Sequence, residues 1–229
     1  MISVVYIVGT GSRWNNNELR YSLRSIEKHL SGLEHVWIIG HKPEFITRVC
    51  HIPAGDPYDV SDKNILHKLK IACETKDITD DFLLFHDDHY LIQDFEAIEF
   101  PNYYEGTVSQ MAHIRGSDSY GSRCRNTLEI LKKSSLPEKY FDVHYPILIN
   151  KAKFTEYVTD KVDPNSKNGY IIKSLYANAM KLEGTEIPDC KSGYTPTQKL
   201  PCFSTQARVS GAVYRFLDEN FPIKSKYEL

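Results

Sequence analysis

The 229-residue chain lacks the features that mark several specialised classes of protein. Its five cysteines are scattered and form no C-x-x-C pair, which argues against a zinc ribbon or a disulfide scaffold and fits a reducing cytosol. No apolar run approaches the ~20 residues that a membrane span needs. The N-terminal MISVVYIVG has no basic region before its apolar residues, so we interpret it as a first strand and not as a signal peptide. These absences predict a cytoplasmic protein without a membrane span.

Neither sign of charge dominates, because the chain has 28 Lys and Arg and 30 Asp and Glu, for a net charge of −2. Hydrophobic residues make up 41% of the chain and charged residues 25%, which is typical of a globular protein and argues against disorder. We find no internal repeat and no domain boundary. The sequence therefore predicts a single domain over residues 1–229.

Strand and helix patterns alternate in the first half of the chain. The predicted strands are 3–8, 35–40, 49–52 and 82–85, and the predicted helices are 16–30, 43–48 and 63–75. In the second half we predict strands at 107–114 and 142–149 and a helix at 169–182. The alternating order predicts an α/β fold with a mostly parallel sheet and helices on both faces. Ligands of such sheets bind at the carboxyl ends of the strands.

The segment FLLFHDDHYLI, residues 82–92, runs from an apolar strand into two adjacent aspartates, Asp87 and Asp88. Two neighbouring carboxylates repel each other unless they lie in a solvated turn or hold a cation between them. Mg²⁺ and Mn²⁺ prefer oxygen ligands and commonly bridge one or two carboxylates to substrate phosphates. The segment predicts either a solvated turn or a Mn²⁺ or Mg²⁺ site at the end of the strand.

A flexible turn follows the first predicted strand and includes Gly9, Thr10, Gly11 and Arg13. It matches neither a Walker A loop nor a full dinucleotide fingerprint. Its backbone N–H groups can nevertheless approach a phosphate closely, and Arg13 adds positive charge. We therefore expect this turn to bind the phosphates of a donor, at the same sheet edge as the aspartates.

Three polar residues of the predicted helix 63–75 share one face, because Asn64, His67 and Lys68 are spaced at i, i+3 and i+4. An amide, an imidazole and an ammonium on one face can contact a diphosphate and a sugar. The alternative is an ordinary solvated face of an amphipathic helix.

Several segments resemble the Stealth-type polysaccharide phosphotransferases, in which a VVYTWV-like strand precedes an ELRYSLRSI helix and a later FNDD-type segment. This chain carries VVYIVGTGS, then RWNNNELRYSLRSIEKHL, then LHKLKIAC and LLFHDDHYLI in that order, with His86 where the family has Asn. The resemblance is good over about the first 95 residues and loose beyond them. It implies a GT-A-like (Rossmann-like) fold, a divalent metal at the aspartates, and transfer of a sugar or sugar-1-phosphate from a nucleotide-sugar donor, with a UDP-sugar favoured.

Transfer to a hydroxyl needs a general base, and the resemblance points to the segment DVHYPILINKAKF, which contains Asp142 and His144. We expect His144 or Asp142 to be the base, with Asp88 as a catalytic residue through the metal. His144 is alternatively a third metal ligand beside Asp87 and Asp88, or a buried core histidine. His113 is the fallback candidate for the base.

Arg13 and Lys68 are expected to stabilise the charge that develops on the leaving group.

The middle of the chain, residues 115–133, is rich in Arg and Lys and lies near several tyrosines. Basic and aromatic residues together suit a phosphate-containing polymer, so the predicted acceptor is a polymeric hydroxyl compound, either a polysaccharide or modified DNA. A solvated helix beside a groove would show the same pattern. The alternative function is a non-catalytic polymer-binding module with a structural metal site. A metal-dependent nuclease has little support, because it needs further acids at matching strand ends.

Overall fold

A computed structural model of the protein describes residues 1–193, Thr195 and residues 200–229. The strands are β1 (Ile2–Val8), β2 (Leu30–Ser31), β3 (Leu33–Gly40), β4 (Cys50–Ile52), β5 (Asp81–His86), β6 (His89–Leu91), β7 (Phe95–Glu96), β8 (Tyr103–Tyr104), β9 (Ile147–Asn150), β10 (Thr185–Glu186), β11 (Lys191–Ser192) and β12 (Cys202–Thr205). The α-helices are α1 (Asn17–His29), α2 (Ser61–Glu74), α3 (Val108–Arg115), α4 (Ser119–Lys133), α5 (Lys151–Phe154), α6 (Ile172–Ala179) and α7 (Gly211–Asn220). A 3-10 helix spans Ala97–Glu99, and a π-helix spans Thr155–Thr159.

The central sheet has the strand order β4-β3-β1-β5-β9 and is parallel except for β9, which runs antiparallel to β5. Every residue of β1 is buried, which explains its uninterrupted apolar run, since a central parallel strand is covered on both faces. The predicted α/β fold with a mostly parallel sheet is therefore confirmed.

Helices cover both faces of this sheet, as predicted. The connection from β1 through α1 to β3 and the connection from β4 through α2 to β5 cross the sheet in opposite directions. Because such crossovers are right-handed, α1 and α2 lie on opposite faces. Tyr6 of β1 faces α1, where its hydroxyl hydrogen-bonds Ser22 Oγ at 2.8 Å, and α2 packs against β1 and β3.

The strand predicted at 107–114 is wrong, because these residues form α3. The cause is a capping box: Gln110 N donates to Thr107 Oγ1 at 3.1 Å, and Thr107 N donates to Gln110 Oε1 at 2.8 Å. These reciprocal bonds begin a helix, and Val108, Met111 and Ala112 follow at the i, i+3, i+4 spacing of an apolar helix face.

Three other predicted elements differ in extent or type. The strand predicted at 142–149 is limited to β9, and the helix predicted at 169–182 is limited to α6. The helix predicted at 43–48 is absent, because this segment pairs with the C-terminus instead. Ile46 forms a bridge with Glu228, and Thr47 N donates to Tyr227 O at 2.9 Å.

The C-terminal segment is anchored on α1 by a buried ion-pair cluster. Arg24 Nε donates to Glu228 Oε1 and Arg20 Nη1 donates to Glu228 Oε2, each at 2.7 Å. A second apolar cluster, which includes Tyr90, Phe203 and Leu217, packs α7 near α1, because Tyr21 of α1 belongs to the same cluster. Within the residues that the structure describes, no helix has the length and apolar character that a membrane crossing requires.

Candidate active site

A pocket of about 450 Å³ opens at the carboxyl edge of β1 and β5. Part of its lining, here called the first-half wall, comes from the first half of the chain and includes Gly9, Gly11, Arg13, Asp87 and Asp88. Another part, the second-half wall, comes from the second half of the chain and includes Tyr120, Asp142, His144, Lys173 and Lys191. The structure thus brings the two predicted aspartates, the predicted turn and both predicted base candidates into one pocket.

The turn after β1 is held by Ser12. Ser12 Oγ donates to both carboxylate oxygens of Glu18, at 3.0 and 2.9 Å, and accepts a hydrogen bond from Asn16 N at 2.8 Å. Arg13 is exposed at the pocket, whereas Thr10 is exposed but does not line it. Three of the four residues predicted in this turn therefore line the pocket.

Asp87 and Asp88 form the turn between β5 and β6 and have different surroundings. Asp88 Oδ2 accepts hydrogen bonds from Ser204 Oγ at 3.0 Å and from Lys191 Nζ at 3.2 Å. Burial acts to raise the pKa of Asp88, but the positive charge of Lys191 and the nearby His144 outweigh it and lower this pKa. Burial raises the pKa of Asp87 to about 7, and the negative charges of Asp88 and Glu18 contribute to the shift. Lys191 therefore bonds directly to Asp88, whereas its charge offsets the upward pKa shift of Asp87 only in part.

The two histidines that flank the aspartates are neutral at physiological pH. Burial, assisted by the charge of Lys173, lowers the pKa of His86 to about 3. Burial also lowers the pKa of His89 well below its usual value, with His86 contributing. The His89 ring is fixed by a hydrogen bond from His86 N to its Nδ1, at 3.3 Å. These imidazoles therefore add no positive charge to balance Asp87.

The ionisable side chains around the pocket are mainly acidic. Five carboxylates line it, from Glu18, Asp62, Asp87, Asp88 and Asp142, against three strong cations, from Arg13, Lys173 and Lys191. An anionic ligand such as a diphosphate is repelled by this excess unless a cation enters with it.

The residues present suit a divalent cation whose ligand shell is completed by substrate. Among the described residues, no group of three or more His, Cys, Asp or Glu side chains is arranged to hold a metal ion, so Asp87, Asp88 and His144 form no ready-made protein cage. Mg²⁺ is commonly bound through one or two carboxylates together with substrate phosphates and water. Asp87, a carboxylate that forms no ion pair with any described residue, fits a site of this kind, in which substrate and water supply the remaining ligands.

His144 lies on the second-half wall with its side chain about one-third exposed (32%), so it is not a buried core histidine. Its Nδ1 hydrogen-bonds Asp189 Oδ2 at 2.7 Å, and its backbone N donates to Asp189 Oδ1 at 2.8 Å. Asp189 was not identified from the sequence. It lies 45 positions from His144, and no local pattern links the two residues.

Asp142, the other predicted base, accepts a hydrogen bond from the Tyr120 hydroxyl at 2.6 Å, and Tyr120 is also hydrogen-bonded to Tyr140. Asp62, at the start of α2, faces this group and forms an ion pair with Arg123. Burial raises the pKa of Asp62 to about 6, and the negative charge of Asp142 adds to the shift. In the sequence, Asp62 could be read only as a helix cap.

Four of the five basic side chains of segment 115–133 make contacts within the protein, and three of these contacts are ion pairs. Arg115 pairs with Asp118 at 2.9 Å, Lys133 pairs with Glu129 at 2.7 Å, and Arg125 Nη1 donates to Gly116 O at 2.5 Å. Arg123 is directed to Asp62. These contacts favour the solvated-helix interpretation of the segment over a polymer-binding patch.

The face of α2 predicted to contact a donor holds the preceding loop instead. Lys68 is 2% exposed, and its Nζ donates to Val8 O at 2.9 Å and to Asp56 Oδ1 at 2.5 Å. Asn64 is bonded to both backbone groups of Tyr58, at 2.7 and 2.9 Å, and His67 lies edge-on to the Tyr58 ring. None of these three residues lines the pocket.

The fallback base, His113, is exposed on α3 in a separate groove.

Comparisons with known proteins give structural likeness alone. No protein-family model matches the chain, and no curated protein resembles it closely enough to count as a relative, so membership of the Stealth family is not confirmed. The similar solved structures include the galactosyltransferase LgtC in complex with donor and acceptor sugar analogues, at 12% identity and a TM-score of 0.43 over 76% of this chain and 70% of that one. Glycosyltransferase GlyE of Streptococcus pneumoniae TIGR4 is 14% identical with a TM-score of 0.47 over 97% of this chain, which spans 60% of the GlyE chain. Mouse xyloside xylosyltransferase 1 is 7% identical with a TM-score of 0.42, over 100% of this chain and 96% of that one.

Proposed function

We propose that this protein is a metal-dependent transferase that uses a nucleotide-sugar donor to move a sugar or sugar-1-phosphate onto a hydroxyl of a polymeric acceptor. The observation that carries the proposal is the composition of the pocket. A carboxylate pair, of which only Asp88 forms an ion pair with a described residue, lies at the carboxyl edge of parallel strands and lines the same pocket as His144, a histidine that is about one-third exposed and held by an aspartate. The carboxylate pair suits the binding of a metal-bound diphosphate, and the histidine suits removal of a proton from the acceptor hydroxyl.

The donor would lie along the first-half wall. The turn after β1 offers backbone N–H groups and the Arg13 guanidinium to the phosphates. A Mn²⁺ or Mg²⁺ ion held by Asp87 and Asp88 would neutralise the negative charge that develops on the leaving group. A UDP-sugar is the favoured donor, on the resemblance to nucleotide-sugar transferases that the first 95 or so residues carry.

His144 would act as the general base from the second-half wall. Its ring removes the proton of the acceptor hydroxyl while the hydroxyl oxygen bonds to the donor. In sugar transfer the oxygen attacks the anomeric carbon, the bond from that carbon to the diphosphate breaks, and the nucleoside diphosphate leaves. In sugar-phosphate transfer it attacks the phosphorus that carries the sugar, and the nucleoside monophosphate leaves. Both reactions use the same residues, and both a polysaccharide and a modified DNA supply suitable hydroxyls.

A thermal-shift panel of nucleoside diphosphates and nucleotide-sugars, each with and without Mn²⁺, tests the proposal on the wild type and on Asp88→Asn. Asparagine keeps an acceptor oxygen for the hydrogen bonds that Ser204 and Lys191 donate, so the turn is expected to fold. We expect one nucleotide to stabilise the wild type only with Mn²⁺ and to lose this effect in Asp88→Asn. Asp77→Asn, at an exposed aspartate, is the matched control and should respond like the wild type.

A flat panel for every nucleotide would overturn the proposal and leave the non-catalytic polymer-binding module.

A further inference from the structure

Asp189 holds one residue, His144, with both of its carboxylate oxygens. Oδ2 lies 2.7 Å from the ring nitrogen Nδ1, and Oδ1 accepts the backbone N–H of the same residue at 2.8 Å. A neutral imidazole carries its proton on one nitrogen, and a carboxylate this close to Nδ1 selects the Nδ1–H form. The other ring nitrogen, Nε2, is then an unprotonated acceptor on a side chain that lines the pocket.

The carboxylate of Asp189 is kept ionised by its surroundings. Burial acts to raise its pKa, but the hydrogen bonds from the side chain and backbone of His144 outweigh burial, so that the pKa of Asp189 is below its usual value. Lys191 N also donates to Asp189 Oδ1, at 3.3 Å. The backbone of Asp189 is tied down as well, since its N–H donates to Glu105 Oε2 at 3.3 Å. An ionised, immobile carboxylate can hold a ring in one orientation.

The backbone on either side of His144 is fixed independently. The buried Lys173 Nζ donates to the carbonyl oxygens of Val143 and of Tyr145, the residues that flank His144. Cys190 Sγ donates to His144 O at 2.8 Å. Because main-chain groups of three successive residues are held, the imidazole has little freedom except rotation about its own side-chain bonds, and Asp189 restricts that rotation.

We propose that Asp189 is a positioning residue that sets the tautomer and orientation of His144, so that Nε2 accepts the proton of the acceptor hydroxyl. The O–H bond of the acceptor breaks, an Nε2–H bond forms, and the resulting imidazolium is stabilised by the Asp189 carboxylate. The proton passes to solvent after the product leaves. This inference rests on the proposed function for its catalytic consequence, and on geometry alone for the pairing.

The test combines a spectroscopic measurement with kinetics on Asp189→Asn, Asp189→Glu and the exposed control Asp160→Asn. In the ¹⁵N NMR spectrum of protein labelled at histidine, the His144 signals are identified by their loss in His144→Gln. We expect the Nδ1–H tautomer in the wild type, in Asp160→Asn and, in part, in Asp189→Glu. Asp189→Asn can turn its amide NH₂ toward Nδ1, and the proton should then move to Nε2.

In the kinetics, we expect kcat of Asp189→Asn to fall by about 10²- to 10⁴-fold, the contribution of a positioned general base. The donor KM and the Mn²⁺-dependent thermal shift should change less than about threefold. Asp189→Glu should recover part of the kcat, since it restores an ionised carboxylate, and this recovery separates a positioning role from general damage to the fold.

Three results would count against the inference. An unchanged tautomer in Asp189→Asn overturns the pairing, and an unchanged kcat overturns its role in turnover. Equal losses of kcat in Asp189→Asn and Asp189→Glu, together with a lower melting temperature in both, would assign Asp189 a structural role only. Failure of the proposed function would give a different result. The melting temperature of the wild type would then not respond to any nucleotide, whereas the NMR tautomer measurement would still show whether Asp189 orients His144.

Discussion

The two walls of the pocket are built in different ways. Residues of the first-half wall follow directly after β1 and β5, so the hydrogen-bonded ladder of the parallel sheet sets their positions. On the second-half wall, side-chain hydrogen bonds between distant parts of the chain set the positions, such as Tyr120 to Asp142 across 22 residues and Asp189 to His144 across 45. A sheet edge tolerates the loss of a single side chain, whereas a wall held by side chains depends on each of them.

The largest expected effect comes from removing a charge on the first-half wall. Asp88→Asn should lower turnover by about 10³-fold or more, because it removes a group placed to hold the cation that stabilises the leaving group. The melting temperature should change little, since Asn keeps the hydrogen bonds to Ser204 and Lys191 and the backbone of the turn is held by β5 and β6. Turnover and calorimetry on the same preparations check both statements. Loss of the fold in parallel with turnover would contradict the division between the two walls.

A matched pair of buried lysines sharpens the comparison. Lys173 and Lys68 are 8% and 2% exposed. Lys173 donates to the carbonyls of Val143 and Tyr145 around His144, whereas Lys68 donates to Val8 O at the end of β1 and to the Asp56 carboxylate. Replacement of either by Met removes hydrogen bonds to buried groups, at a cost of about 0.5–1.5 kcal/mol each in the free energy of unfolding. Val8 O and Val143 O each keep a backbone donor, His41 N at 3.1 Å and Tyr145 N at 2.8 Å. We expect Lys173→Met to reduce kcat about tenfold as well, because the base becomes less well oriented.

Lys68→Met should leave kcat within about twofold of the wild type, because the sheet still holds β1 in place. Chemical denaturation and steady-state kinetics on both variants test the pair. Equal losses of kcat would mean that Lys68 takes part in donor binding, as its helical spacing beside Asn64 and His67 first predicted.

The contrast between the wall held by the sheet and the wall held by side chains also explains what could be predicted from the sequence. The run SVVYIV and the spacing of Leu19, Leu23 and Ile26 predicted β1 and α1, and the apolar segment before Asp87 predicted β5, because these patterns are local and repeat with the period of the element. They also place Asp87 and the turn after β1 at one edge of the sheet.

The second-half wall could not be predicted in this way. The pairing of Asp189 with His144 has no period and no fixed spacing, so a linear pattern carries no sign of it. Lys68 shows an intermediate case: its helical face was identified correctly, but the direction of that face depends on the loop that includes Asp56 and Tyr58. In α3 the missed signal was local: the capping residues Thr107 and Gln110 stand three positions apart, which is the sequence pattern of a helix start.

The smallest expected effect concerns Asp62, which lines the pocket between its ion pair with Arg123 and the negative charge of Asp142. Its pKa is raised from 3.8 to about 6, mainly by burial, so the folded protein holds this proton more tightly than the unfolded chain does. The associated stability is present in full below about pH 4, the usual aspartate pKa, and is lost as the pH rises through about 6.

We therefore expect the free energy of unfolding of the wild type to fall, relative to Asp62→Asn, by about 2–3 kcal/mol between pH 4 and pH 7.5. Asparagine at this position carries no charge at either pH, so its stability should lack this component. Urea denaturation at several pH values measures the difference, with Asp59→Asn as an exposed control that should follow the wild type. Parallel curves for the wild type and Asp62→Asn would show that Arg123 compensates the carboxylate fully. A steeper wild-type curve would mean that this pocket residue costs the fold stability at neutral pH, which is the behaviour expected of a group placed for ligand binding and not for packing.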